Sequence, residues 1–130
     1  MKLRKLQSRS LEWYQRAISI PSSFTRLDRV EHFIHRAIQI ARAVGVTPAE
    51  LDLMIDKAKH DAIMMPNQAV GATLVTLSAV AGNYGLELDR CAKDELERLW
   101  DPKVVARCQD RENSIAGVKE DKRKRFRRVA

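Results

Sequence analysis

The chain is 130 residues long, 45% hydrophobic and 32% charged, the length and balance of one globular domain. Five Gly, four Pro and 5% aromatic residues supply too little turn chemistry for a β-sandwich or barrel built of many short strands, so an all-α fold is favoured before any pattern is read. The net charge of +7 sits at the ends: residues 1–9 hold Lys2, Arg4, Lys5 and Arg9 and no acid, residues 117–130 hold Lys119, Lys122, Arg123, Lys124, Arg125, Arg127 and Arg128 against Glu120 and Asp121, and the stretch between is mildly acidic.

The first predicted helix runs from about residue 3 to 19 and stops before Pro21, with Leu3, Leu6, Leu11, Tyr14 and Ile18 expected to be buried and Trp13 to anchor a core or interface. Its basic start leads into LEWYQR and not into an apolar signal core, and no apolar run approaches the ~18–20 residues that span a bilayer. A protein of the cytoplasm, bacterial or of a phage-infected host cell, with no membrane partner is therefore expected. Ser22-Ser23 reads as a loop, and Thr25 as the cap of a second helix over 26–44. There Leu27, Val30, Phe33, Ile34, Ala37, Ile38, Ala41 and Val44 recur at steps of three and four, which makes one apolar face.

Gly45 ends that helix, and Thr47-Pro48-Ala49-Glu50 reads as a capping box with Pro at the first helical position. The third helix, with Leu51, Met54, Ile55 and Ala58, ends near Asp61. Asn67 is read as the cap of a fourth helix over 68–84, apolar on nearly every side and so expected in the middle of a bundle or against a second subunit. Gly85 stops it. A fifth helix opens at Asp89 and ends at Trp100, where a core role is expected, and Asp101-Pro102 opens a sixth that can run into the basic tail. Cys91 and Cys108 read as buried free thiols, since no second Cys or His has the spacing of a zinc site or redox pair. No internal repeat is read.

The stretches RSLEWYQRAI (9–18), RVEHFIHRAIQIARAVGVT (29–47), QAVGATLVTLSAVAGNYGLELD (68–89) and DELERLWDPKVVAR (94–107) resemble, in that order, the MazG-like all-α nucleotide pyrophosphohydrolases, above all the small versions carried by phages and prophages. The resemblance implies a dimeric helical bundle of about six helices over residues 1–116, followed by a basic C-terminal tail at 117–130. It also implies Mg²⁺-dependent hydrolysis of nucleoside triphosphates to monophosphate and pyrophosphate. In that chemistry a Glu-Glu-x-x-Glu cluster on one helix, with a Glu and usually an Asp on a later one, holds a hard cation that needs oxygen ligands.

The same match places the first cluster on His35, Arg36 and Gln39 and the second pair on Ala69 and Ala72, none of them a carboxylate. No metal, cofactor or catalytic residue is therefore expected. His35, Arg36 and Gln39 read instead as an anion patch that can take a phosphate directly, or as plain polar residues of a helix face. Asn83 reads as a base-binding group or as a residue favoured at a helix end. His32 and His60 read as solvent-facing or polar-core histidines.

The expected function is that of a non-catalytic MazG-like protein binding a nucleotide or other anionic partner as a homodimer, and in a phage a modulator or inhibitor of a host system. One alternative is a binder of nucleic acid or of a host protein complex through the basic termini, with Lys122, Arg123, Lys124, Arg125, Arg127 and Arg128 as the polyanion-binding residues, the bland reading of the C-terminal tail being a solubilising one. Another is an active pyrophosphohydrolase that recruits Asp56, Asp61 or Asp89.

Overall fold

A computed structural model describes the backbone of residues 1–18 and 26–129, and the side chains in that range apart from those of 26, 115–123, 126, 128 and 129. The described residues form helices α1 (Leu3–Ala17), α2 (Arg26–Ala43), α3 (Pro48–His60), α4 (Pro66–Asn83), α5 (Leu88–Leu99) and α6 (Pro102–Val129), with no strand among them. The all-α expectation holds. The Ser22-Ser23 loop and the Thr25 cap fall outside the described residues.

Two corners are built alike. At Gly45 the chain takes φ +94, the Val46 N–H donates to the Ala41 carbonyl at 3.0 Å, and the Gly45 N–H donates to Arg42 at 3.1 Å. At Gly85, φ is +68, Leu86 donates to Ala81 at 2.9 Å, and Gly85 donates to Gly82 at 3.1 Å. Both are Schellman ends, in which a residue with positive φ turns the chain so that the last carbonyls find donors. Glycine carries this conformation without the Cβ penalty, which is why the sequence stops its helices at these two positions.

The helix starts vary. Thr47 Oγ1 accepts from the Glu50 N–H at 3.2 Å and donates to Glu50 Oε1 at 2.8 Å, so the box closes through the Thr hydroxyl and not through its backbone N–H. Asp101 Oδ1 accepts from the Lys103 N–H at 2.8 Å and starts α6. Asn67 is not a cap: α4 begins one residue earlier, at Pro66, whose missing N–H costs nothing in a first turn. Likewise α5 opens at Leu88, after a Glu87 whose side chain makes no cap bond, and not at Asp89.

The chain divides into two compact units, one of residues 1–25 with 81–130 and one of residues 26–80. The first has a core. Trp13, Ala17, Ile18 and Val105 are buried together, with Tyr14, Leu99, Trp100 and Cys108 packed against them, and α1, α5 and α6 touch one another in pairs. Trp13 Nε1 donates to the Leu99 carbonyl at 2.7 Å, tying α1 to the end of α5. Gln109 Nε2 donates to the Arg16 carbonyl at 2.9 Å, tying α6 to α1. The Arg16 guanidinium lies 5.8 Å from the Trp100 ring centre, a cation–π contact. Tyr14 meets Trp13 edge to face at 5.1 Å.

The face of α1 that enters this core is only partly the expected one. Ile18 is buried and Tyr14 half-buried, but Leu3 and Leu11 are 59% and 53% exposed, and Trp13 with Ala17 takes the place foreseen for them. The cysteines differ too: Cys91 is exposed and Cys108 half-buried, because Cys91 lies on the outer side of α5.

The second unit is organised differently. No described side chain of residues 26–80 is buried, and no two of α2, α3 and α4 pack closely on each other. The apolar face read on α2 exists as a pattern, yet Leu27, Val30, Phe33 and Ile34 remain exposed. On α4 only Ala81, at its far end, is buried. Thr73, Thr76 and Ser78 each return their hydroxyl to the carbonyl four residues back, at 2.8 Å, so these three hydroxyls are satisfied within α4.

Candidate functional site

His35, Arg36 and Gln39 lie on α2 and are exposed. Helical spacing puts His35 and Gln39 one turn apart on a shared face. Arg36 Nη1 donates to Gln39 Oε1 at 2.8 Å, so the amide holds the guanidinium in one orientation. One of the five N–H donors of Arg36 is used in that bond. What results is a guanidinium paired with an amide on an exposed helix surface, with no carboxylate among the three residues.

The two α4 positions matched to the second pair of acids carry methyl groups. The carbonyls of Ala69 and Ala72 accept the Thr73 and Thr76 hydroxyls. Among the described residues no three His, Cys, Asp or Glu side chains gather as metal ligands would. Asp56 stands 3.7 Å from His60, both exposed, and Asp89 accepts from the ammonium of Met1. Asp61 is the exposed residue that follows α3. Two of the three acids considered as replacement ligands, Asp56 and Asp89, thus have a local partner. His32 is half-buried and His60 exposed.

Asn83 is the exposed last residue of α4 and belongs to the other unit from His35, Arg36 and Gln39. Gly85, and not Asn83, takes the left-handed backbone of that corner, so a helix-ending requirement does not account for the Asn side chain.

Lys122, Arg123, Lys124, Arg125, Arg127 and Arg128 all fall within α6, a helix of 28 residues. Lys124, Arg125 and Arg127 are exposed; the side chains of the other three fall outside the description. Upstream on the same helix, Lys103, Arg107 and Arg111 are exposed at four-residue steps, forming one basic row. Sequence reading confined the cationic surface to the two ends of the chain and missed this row, although its spacing is plain once α6 is known to be continuous.

A shallow groove of about 170 Å³ lies in the first unit, walled by Leu6, Trp13, Leu96 and Leu99 with Ser10 and Glu95 at its edge. A nucleotide needs a pocket of roughly 300 Å³ or more. The carboxylate of Glu95 is held by Arg98, whose Nη2 and Nε donate to it at 2.6 and 2.9 Å. That hydrogen bonding, and secondarily the negative charge, raises the Arg98 guanidinium above its ordinary range. The groove is apolar, with its one acid already paired, and offers nothing to a phosphate.

No protein-family model matches the chain, and no curated protein or solved structure matches it significantly.

Proposed function

We propose that this chain is a non-catalytic, MazG-like helical protein, working as a homodimer, that binds a nucleotide or another anionic partner through His35, Arg36 and Gln39. One observation carries the reading: Arg36 is hydrogen-bonded to Gln39 where the resemblance expects carboxylates. Two unit charges of like sign at 4 Å repel by roughly 4 kcal/mol at an effective dielectric of 20, and a divalent ion doubles that. The same guanidinium favours a phosphate oxygen, and a bidentate Arg–phosphate contact needs no bridging metal. The setting inferred is a bacterial cytoplasm or a phage-infected host cell, where such a protein would act as a modulator or inhibitor of a host system. For the described residues, no single helix is long and apolar enough to cross a membrane.

A panel of ribo- and deoxynucleoside triphosphates, measured for binding in EDTA and for pyrophosphate release in Mg²⁺, tests the proposal. The expected result is binding without metal, no release of pyrophosphate, and a loss of roughly tenfold or more in affinity for Arg36→Ala, the size of one charge-assisted hydrogen-bonded contact. Mg²⁺-dependent turnover of any of the triphosphates would overturn it.

A second reading is favoured by α6, which carries the row Lys103, Arg107 and Arg111 as well as exposed Lys124, Arg125 and Arg127 on one continuous helix. It is that of a polyanion binder, nucleic acid being the first candidate. Affinity should then fall steeply with salt, as it does when phosphate contacts release counterions. Deletion of 117–130 should weaken it, and unchanged affinity after deletion would remove this reading.

A further inference from the structure

We infer that residues 26–80 obtain a hydrophobic core only by pairing with the same residues of a second copy, so that the folding of this unit and the assembly of the protein are one event. The inference rests on the homodimer reading above and is independent of the anion site.

The first argument is the missing core. No described side chain of this unit is buried, and its three helices scarcely touch. Ordering a residue costs about 1.5 kcal/mol of conformational entropy, which buried apolar surface must offset. A unit of this length whose apolar side chains are at most half-buried has too little such offset within one chain. Except for Leu3, Leu11, Tyr84 and Leu86, every strongly exposed large apolar side chain of the described residues lies in residues 26–80. Leu27, Val70 and Val75 are 70% exposed or more. A large aliphatic side chain carries about 60–120 Å² of apolar surface, from its transfer energy at about 25 cal/mol per Å². The exposed set therefore amounts to some hundreds of Å², approaching the roughly 800 Å² that each partner buries in a stable interface.

The second argument selects the partner. Residues 62–86 contain no charged side chain in a chain that is 32% charged, and the hydroxyls of α4 are satisfied within the helix. Within residues 26–80 the Lys and Arg side chains equal the Asp and Glu in number, so the whole net charge of +7 lies elsewhere. An acidic partner would be drawn to the basic helices and not to this surface. A neutral, apolar face asks for another neutral, apolar face, and a second copy presents one without like-charge repulsion. Two copies meeting about a two-fold axis use the same patch twice, with α4 against α4 through Val70, Leu74 and Val75, and the exposed Val30, Phe33 and Ile34 of α2 supply further apolar surface.

The two tryptophans make the test clean. Trp13 and Trp100 both belong to the other unit, so their emission reports that unit alone, whereas far-ultraviolet circular dichroism reports all six helices. The full chain is to be followed across a wide concentration range by sedimentation velocity, dichroism and tryptophan emission, together with the double substitution Val70→Glu, Val75→Glu. The expected result is two-copy mass at high concentration. On dilution, mass and helicity fall together, with loss of somewhat under half of the helical signal, the share of α2, α3 and α4, while tryptophan emission holds. The double variant should be monomeric throughout, with the same reduced helicity and native emission.

A fully helical monomer at every concentration would overturn both the inference and the homodimer reading. Dissociation with helicity unchanged would overturn the inference alone. Loss of tryptophan emission in step with helicity would overturn its assignment to residues 26–80. A full-helicity monomer that sediments with neutral lipid vesicles would show the face to be a membrane surface instead.

Discussion

Replacing Trp13 by Phe asks whether α1 is held to α5 by a hydrogen bond as well as by packing. The indole N–H donates to the Leu99 carbonyl at 2.7 Å, and the ring is buried among Ala17, Ile18 and Val105. Phe keeps an aromatic edge for Tyr14 but has no donor. Losing the bond costs about 1 kcal/mol, more if the carbonyl is left dry. The smaller ring leaves a void worth about another 1 kcal/mol at ~24 cal/mol per Å³. A destabilisation of about 2 kcal/mol is therefore expected for Trp13→Phe, and about 3–5 kcal/mol for Trp13→Ala, which also loses the ring. Urea unfolding at one fixed protein concentration, followed by the emission of the remaining Trp100, measures both. Fixed concentration matters because any assembly adds a mass-action term to apparent stability. If Trp13→Phe lies within about 0.5 kcal/mol of the parent, the bond to Leu99 contributes nothing, and α1 is held by shape alone.

Thr47→Ala should remove the cap of α3 at a cost of about 1 kcal/mol per copy. If residues 26–80 fold on assembly, that loss appears as dissociation at roughly tenfold or higher protein concentration, read by sedimentation. Gly85→Ala should cost about 1–2 kcal/mol, because a Cβ at φ +68 meets open space and the penalty is wholly one of backbone conformation. It is measured by thermal unfolding, and a cost near zero would mean that the corner between α4 and α5 relaxes to another backbone.

The helices were legible because their punctuation is local. Gly45, Gly85, Pro48 and Pro102 act within a few residues, and the structure places helix ends beside all four. Asn67 was misread because capping chemistry and the tolerance of Pro at a first turn point to starts two residues apart, and Pro66 won. Burial was less legible, since periodicity shows that a helix has an apolar face but not whether anything covers it. On α1 the choice between Leu11 and Trp13 depended on α5 and α6, both distant in sequence. On α2 the face was read as a pattern, and among the described residues Leu27, Val30, Phe33 and Ile34 stay exposed. At the candidate site, residue types could be read along the chain, but the bond between Arg36 and Gln39 depended on rotamers. The basic row on α6 needed a continuous helix before its spacing meant anything.

Salt separates the two surfaces inferred for this protein, because sodium chloride weakens one and leaves the other nearly unchanged. Binding of a polyanion along α6 releases counterions from phosphate, so log K should fall linearly as log salt rises, with a slope near −0.9 per phosphate contact on duplex DNA. Pairing through residues 26–80 involves an apolar surface with no net charge, so sodium chloride should leave it nearly unchanged, and sulfate should strengthen it by exclusion from the surface. The expected outcome is a protein that lets go of duplex DNA between about 50 and 200 mM salt while its two-copy mass persists. Mass measured by sedimentation and DNA binding measured by anisotropy, on one sample across the same titration, give both curves. If mass and binding decline together, one charged surface serves both purposes, and the neutral face of α4 does not hold the copies together.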